Sequence, residues 1–262
     1  MQMELSDENV FDKLNEVISD INGSLNILEE QIDIELQMEY FKFSKELKDE
    51  NEKKTDLPFP DSNLLFDESI SLSEKKEILV LLASVEDVEA FRAIEKYRND
   101  PDGELKEWSV LALQESRMLI ESSLLDENQV FISTGLGGRQ DKLRYFVVLI
   151  HSEEQAFNDI QKKVVRSEFQ YAFDDFGAEL ENIDFTEQFC TVLGLIPIEA
   201  PIKELFQKAI RDSNQFGDFI KENFIVTNVK KLNLSEIKDF LKKADEEEKT
   251  DQESEDYDEE TD

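Results

Sequence analysis

The sequence predicts an α+β protein, in which an all-α N-terminal half precedes a mixed α/β sandwich and an acidic tail. Three observations indicate this class. Apolar residues recur at helical spacing as far as about residue 125. Beyond that point, runs rich in β-branched and aromatic residues alternate with amphipathic segments, a pattern typical of strands interleaved with helices. Residues 244–262 hold 12 acidic residues, one lysine and a single aromatic residue, so this tail is predicted to be disordered.

These patterns divide the chain into five segments. In order they are a helical hairpin (1–50), a linker (51–72), a second helical block (73–128), an α+β domain (129–243) and the acidic tail (244–262). The linker is predicted from its polar composition and from Pro58 and Pro60, which disfavour a continuous helix.

The predicted hairpin consists of two helices separated by Asn22 and Gly23. The first helix spans Ser6–Asp20, where Ser6 is a favourable N-cap residue. Its apolar residues recur at helical spacing and are Val10, Phe11, Leu14, Val17, Ile18 and Ile21. The second helix spans Leu25–Leu47 and carries an apolar face of its own. The short break between the two helices favours an antiparallel pair.

Three helices are predicted in the segment 73–128. The first covers Ser73–Leu82, the second begins with Ser84 as its cap, and the third runs from Glu104 to about Leu125. A turn of Asn, Asp, Pro and Gly, Asn99–Gly103, separates the second helix from the third.

The sequence DPDGELKEWSVLAL, Asp100–Leu113, places an Asp/Pro turn before a helix with an aliphatic residue, a basic residue, small residues and Ala-Leu. The positions that carry this pattern are Asp102, Leu105, Lys106, Ser109, Ala112 and Leu113. The pattern resembles the start of a HEAT-type helical repeat, and the preceding helix pair matches a previous repeat. The resemblance covers about residues 73–125. It implies a helical surface that binds other proteins, rather than a reaction.

A glycine-rich stretch divides the chain where the two halves meet. Val130–Thr134 and Leu143–Ile150 are predicted to form a β-hairpin whose connection is roughly eight residues long. Turn chemistry is the favoured interpretation of its glycines. The alternative is an anion cradle, since backbone N–H groups of a glycine loop bind anions and bases lie beside this one. The candidate anion-binding residues are Gly135, Gly137, Gly138, Arg139, Lys142 and Arg144.

The remainder of the α+β domain is predicted as helix, strand, helix, strand and helix. The ranges are Ser152–Phe176, Gln188–Ile196, Ile202–Phe219, Phe224–Val229 and a last helix that ends near Lys243. Asn233 and Glu236 form a variant of the capping box at the start of the last helix.

The formal net charge of −34 disfavours nucleic acids and anionic membranes as partners. Residues 63–128 carry 16 acidic and 7 basic residues, a net charge of −9. Residues 129–243 carry 18 acidic and 15 basic residues, a net charge of −3. A basic partner is therefore expected to favour the helical half, and an anionic ligand the α+β domain.

The sequence contains one histidine, His151, and one cysteine, Cys190, which together exclude a zinc site built from these residue types. It lacks a nucleophile elbow, a phosphate-binding loop with Lys-Ser/Thr, a dinucleotide fingerprint and a calcium-binding loop. No cofactor and no enzymatic activity are predicted. The N-terminus lacks the pattern of a secretory signal, and no apolar run is long enough to cross a membrane, so the cytoplasm is the expected location.

The sequence therefore predicts a non-enzymatic adaptor, in which the acidic helical half binds a basic protein partner. Two alternatives remain open. One is a sensor of small anions or nucleotides that uses the glycine loop. The other is an RNA- or ribosome-associated factor that binds through bases of the α+β domain. The candidate bases for RNA are Lys162, Lys163, Arg166, Lys230 and Lys231.

Overall fold

A computed structural model describes residues 23–52, 61–126 and 128–243. The predicted first helix, Ser6–Asp20, and the acidic tail, 244–262, lie outside the described residues.

The described part of the helical half contains four α-helices that share one apolar core. They are α1 (Ile34–Glu52), α2 (Leu72–Ala83), α3 (Val88–Asn99) and α4 (Lys106–Leu125), with short 3-10 helices at Ser62–Phe66 and Gly103–Leu105. Tyr40 of α1, Leu82 of α2, Ile94 of α3 and Trp108 of α4 are all fully buried in this core. The prediction of a helical N-terminal half is confirmed.

Side-chain caps determine where α2 and α3 begin. Ser71, rather than Ser73, caps α2 in a reciprocal capping box with Glu74. Asp87, rather than Ser84, caps α3 by accepting hydrogen bonds from two backbone N–H groups of its first turn.

The predicted helix Leu25–Leu47 is wrong over its first third. Gly23–Ile27 forms a strand, β1, and α1 begins only at Ile34. The strand forms because β1 pairs in parallel with β2 (Asn128–Ile132), which gives its backbone groups partners that the local sequence does not reveal.

The described end of the predicted linker, residues 61–72, packs onto the helical core. The 3-10 helix Ser62–Phe66 lies against α2 and α3, and its Leu65 is fully buried. Burial of Leu65 joins this stretch to the same core as α1 to α4.

The predicted hairpin between Val130–Thr134 and Leu143–Ile150 is also wrong. The first strand is β2, which pairs with β1 and not with the second strand. The second strand is β4 (Lys142–Ile150). It pairs instead with the two-residue strand β3 (Gly138–Arg139), which precedes it in the chain. The glycine stretch therefore connects two different sheets.

The second sheet has five strands, and all its pairs are antiparallel. Its four longer strands follow the order β7-β4-β6-β5, and the short β3 also pairs with β4. Its further elements are α5 (Asp159–Asp175), β5 (Glu179–Thr186), β6 (Phe189–Pro197), α6 (Ile202–Asn214) and β7 (Ile225–Thr227). The chain order β4-α5-β5-β6-α6-β7 with this strand order is the split β-α-β arrangement of ferredoxin-like folds. The prediction of an α+β C-terminal half is confirmed, whereas β5 was not predicted.

The two faces of this sheet are covered by different helices. Helices α5 and α6 cover one face, where Phe169, Phe173 and Phe206 pack on the sheet. Residues 234–243 form a last helix, α7, and its Ile237 packs on Phe146 of the other face. As predicted, Asn233 and Glu236 cap α7.

Two predicted helix ends differ from the structure. Helix α5 begins at Asp159 rather than at Ser152, because Asn158 caps it in a reciprocal box with Gln161. Helix α6 ends at Asn214 instead of Phe219. The Asn214 side chain accepts hydrogen bonds from the backbone N–H groups of Phe219 and Ile220. Within the described ranges, no helix is both long and apolar enough to cross a lipid bilayer.

Candidate functional site

The glycine loop lies buried between the two halves of the protein. A Cβ atom on Gly135 would lie 1.8 Å from the carbonyl oxygen of Val229. Gly137 has a φ of +69°, and a Cβ atom there would lie 2.4 Å from the carbonyl oxygen of Glu29. Glycine is therefore required at both positions by the close approach of other backbone segments, and at Gly137 also by a left-handed conformation.

Two backbone N–H groups of the loop bind within the protein. The N–H of Leu136 donates to the carbonyl of Asn228 at 3.0 Å, and that of Gly137 donates to Thr134 at 3.2 Å. The Thr134 hydroxyl in turn donates to the carbonyl of Gly137 at 3.2 Å. These contacts close a tight turn, which agrees with turn chemistry as the role of the glycines.

The three bases beside the loop form ion pairs with strand β5. Lys142 Nζ lies 2.8 Å from Glu179, and Arg139 also pairs with Glu179. Arg144 binds Glu181 through Nε at 2.7 Å and through a terminal nitrogen at 3.0 Å. The hydrogen bond from Lys142 lowers the pKa of Glu179, and the charge of Arg139 lowers it further.

Of the six predicted anion-binding residues, the three bases thus pair with carboxylates of the same chain, and the three glycines pack against other backbone segments. The sequence does not reveal these pairs, because Glu179 and Glu181 follow the three bases by 37 to 40 residues. Among the described residues, no three His, Cys, Asp or Glu side chains are placed to hold a metal ion.

A groove lies between the helices of the helical half, and we call it the interhelical groove. It has a volume of about 710 Å³ and is bounded by α1, the end of α2, α4 and β2. Its apolar walls are formed by Phe41, Leu111, Met118, Leu119 and Phe131. Polar lining comes from Lys48, Gln114, Glu115 and Gln129.

Glu115 is the centre of a polar network beside the groove. Its carboxylate accepts a hydrogen bond of 2.5 Å from Tyr40 and one of 3.0 Å from Ser44, and it pairs with Lys48. Burial, with the neighbouring Glu115 charge, raises the pKa of the Tyr40 hydroxyl well above its usual range. The Glu115 carboxylate therefore joins α4 to α1 through contacts with three side chains of α1.

The groove exposes part of its apolar lining. Phe41 is 39% exposed, and Met118 and Leu119 are half-buried. The rings of Phe41 and Phe131 meet edge to face with centroids 5.7 Å apart. The buried side-chain amide nitrogen of Gln129 has no hydrogen-bond partner among the described residues. A partly exposed aromatic ring thus lies in the same groove as a donor without a partner among the described residues.

Leu111, Met118 and Leu119 lie within the predicted helix from Glu104 to about Leu125. Leu111 is buried, but Met118 and Leu119 are only half-buried because no described helix covers that side of α4. Phe131 was expected in a hairpin. Helical spacing alone does not distinguish a face that packs on a neighbour from a face that lines a groove.

The HEAT-like positions divide between the core and the surface. Leu105, Ser109, Ala112 and Leu113 are buried, and Lys106 is exposed. Asp102 accepts hydrogen bonds from Lys75 of α2 at 2.7 Å and from Tyr97 of α3 at 2.5 Å. The hydrogen bond from Lys75, followed by that from Tyr97, lowers the pKa of Asp102.

His151 and Cys190 are both buried in the α+β half. The His151 ring packs edge to face on Phe157, and its Nδ1 accepts a hydrogen bond from the backbone of Glu153. Burial raises the pKa of the Cys190 thiol, which disfavours the reactive thiolate. Both residues therefore have the surroundings of core side chains.

The bases considered for RNA lie on opposite sides of the sheet. Lys162 and Arg166 belong to α5, where they lie over the ring of Phe185. Lys230 follows β7 and pairs with Glu236 of α7, on the face that α7 covers. The structure does not gather these bases into one surface.

No protein-family model matches the chain, and no curated protein matches it. Among solved structures it is similar to one described as a "putative transposase from deinococcus radiodurans r1". The two chains are 13% identical, and the match covers 39% of this chain and 90% of that chain, with a TM-score of 0.35.

Proposed function

We propose that the protein is a non-enzymatic adaptor whose interhelical groove binds an amphipathic helix of a basic partner protein. The observation that carries this proposal is the groove itself, with apolar walls from α1, α4 and β2 and an exposed Phe41 among them. Grooves of this kind receive the apolar face of a helix through side chains spaced three and four residues apart.

The charge of the helical half supports a basic partner. Its segment 63–128 has a net charge of −9, and Glu121 belongs to α4, one of the helices that bound the groove. A helix with lysine or arginine on its polar face would be attracted to this surface, and the attraction would raise the association rate. The apolar contacts would then supply most of the affinity.

The HEAT-like character of residues 73–125 is part of this proposal. It is supported by burial of Leu105, Ser109, Ala112 and Leu113, and by the bonds that fix Asp102 against α2 and α3. The cytoplasm, where a chain with a single cysteine needs no disulfide, is the location we propose.

The proposal can be tested with a model ligand. The probe is a fluorescent synthetic helix with leucine on one face and lysine on the other, titrated with the full chain. We expect Phe41→Ala to raise the Kd of the probe about tenfold, because truncating an aromatic anchor at an interface costs about 1.4 kcal/mol or more. Fluorescence anisotropy at low salt measures this Kd.

Leu124→Ala is the matched control. Leu124 lies on α4 and is 78% exposed, but it does not line the groove. Its substitution should leave the Kd unchanged. The same Kd for Phe41→Ala and Leu124→Ala would refute the groove as the binding surface.

A further inference from the structure

We infer that the protein binds a free α-amino acid in a polar cleft at the junction of its two halves, which we call the junction cleft. Of the described residues, only Gln114 lines both this cleft and the interhelical groove. The inference therefore goes beyond the proposed function and concerns a different site.

The junction cleft has a volume of about 310 Å³ and is bounded by β1, the end of α3 and one side of α4. Gln140, in the turn between β3 and β4, lines it from the α+β half. Sites for small molecules often lie between domains and have volumes of about 300–1,000 Å³. A ligand at the small end of this range therefore fits the cleft.

Helix α4 supplies a free cation to the cleft. Val110, Leu113, Gln114 and Arg117 all line it, and their spacing of three and four residues places them on one face of the helix. Arg117 is exposed, and its guanidinium forms no ion pair with any residue that the structure describes. Because a guanidinium binds a carboxylate through two parallel hydrogen bonds, Arg117 is suited to hold the carboxylate of a ligand.

Glu29 supplies the opposite charge. It follows β1, and its carboxylate is exposed and without a partner in the described part of the chain. The close approach of Gly137 to the Glu29 carbonyl fixes the backbone at this point. Glu29 and Arg117 line the same cleft without forming an ion pair with each other. An ammonium group at Glu29 and a carboxylate at Arg117, both on one small molecule, would satisfy the two charges together.

The remaining lining favours a zwitterion over a simple ion. Glu30 and Arg98 already neutralise each other as an ion pair, so the two acids and two bases of the cleft leave it without net charge. A ligand with a net charge would therefore enter with one charge uncompensated, which is costly away from water. The side-chain amides of Gln114 and Gln140 form no hydrogen bond with other described residues. Each offers donors and an acceptor, which suit an amino acid with a polar side chain.

Thermal unfolding of the full chain with each of the common L-amino acids at millimolar concentration tests this inference. We expect at least one polar amino acid to raise the Tm by several degrees, because a ligand that binds only the folded state stabilises it by mass action. In a calorimetric titration with that amino acid, Arg117→Gln and Glu29→Gln should each raise the Kd about tenfold. Arg92→Gln is the matched control, since Arg92 is exposed on α3 and does not line the cleft. Its substitution should leave the Kd unchanged.

Acetate and methylammonium separate a zwitterion from its two charged ends. Neither ion should raise the Tm at the concentration at which the amino acid does. The inference is overturned if no amino acid raises the Tm, if acetate or methylammonium alone gives the same rise, or if Arg117→Gln binds as tightly as Arg92→Gln. Phe41→Ala should bind the amino acid normally, so a failure of this inference and a failure of the proposed function are distinguishable.

Discussion

The hydroxyl of Tyr40 on α1 donates a hydrogen bond of 2.5 Å to the carboxylate of Glu115 on α4, and Tyr40 is fully buried. A buried hydroxyl that binds a carboxylate joins two helices by a charge-assisted hydrogen bond. The same Glu115 lines the interhelical groove. This pair therefore connects the stability of the helical half to the shape of the groove.

We expect Tyr40→Phe to lower the free energy of unfolding by about 2 kcal/mol, since it removes a hydrogen bond to a charged group without removing the ring. Urea unfolding followed by circular dichroism measures the change. Tyr171→Phe is the control, because Tyr171 is largely exposed. Equal stability of the two variants would show that the bond from Tyr40 contributes nothing.

The second prediction concerns pH. Lys75 and Tyr97 lower the pKa of Asp102 in the folded protein, so the ionised carboxylate stabilises the fold. This contribution is fully present above the unfolded pKa of about 3.9 and is lost as the pH falls through the lower folded value. We expect Asp102→Asn to be destabilised by about 2 kcal/mol at neutral pH, because it leaves buried Lys75 without its carboxylate.

The difference between wild type and Asp102→Asn should shrink as the pH falls from about 4 towards 2, where the wild-type carboxyl is also neutral. Urea titrations at several pH values follow the two proteins. A difference that stays constant over this range would mean that the charge of Asp102 is not what stabilises the fold.

The third prediction concerns glycine at the junction of the two halves. Gly137→Ala should lower the free energy of unfolding by about 3 kcal/mol, because the residue has a positive φ and its Cβ would meet the carbonyl of Glu29. Gly103→Ala is the matched control, since a Cβ there meets nothing within 4 Å. If Gly137→Ala unfolds at the same urea concentration as Gly103→Ala, the close approach is not needed for the fold.

The fourth prediction concerns anions. Because Glu179 and Glu181 already pair with Arg139, Lys142 and Arg144, we expect phosphate and nucleotides to leave the Tm of the wild type unchanged. Thermal unfolding with each ligand measures this. A rise of several degrees that Arg139→Ala with Lys142→Ala abolishes would instead establish the anion site that the sequence suggests.

The fifth prediction separates charge from apolar contact in the groove. Binding of the lysine-faced synthetic helix should weaken as NaCl rises from about 0.05 M to about 0.5 M, because salt screens the acidic surface. Phe41→Ala should lower the affinity by a similar factor at both salt concentrations. A loss confined to low salt would mean that Phe41 acts through the charged surface and not as an apolar anchor.

The local sequence was sufficient to predict the positions of elements that their own apolar spacing and turn residues mark. Helices α2 to α4 and strands β4 and β6 were predicted close to their observed positions, because apolar spacing and turn residues mark them. Strand β1 was missed because its partner β2 is distant in the sequence. The apolar spacing around β1 also fits a helix, but pairing with β2 makes this stretch a strand.

Strand β5 and the interhelical groove were missed for different reasons. In β5, the acidic residues Glu179 and Glu181 resemble a solvated loop until the bases two strands away in the sheet are known. The groove is formed by α1, α4 and β2, and a periodic pattern shows only that each has an apolar side. The identity of the side left uncovered depends on how the helices pack.

The parallel pair of β1 and β2 has a consequence for how the protein is made. Asn26 binds Gln129 across a separation of 103 residues, so the first described strand has no partner until the whole helical half has left the ribosome. Chains emerge from the N-terminus and domains generally fold as units. The helices of this half can therefore pack together before β1 and β2 pair, and this pairing becomes possible once β2 has been synthesised.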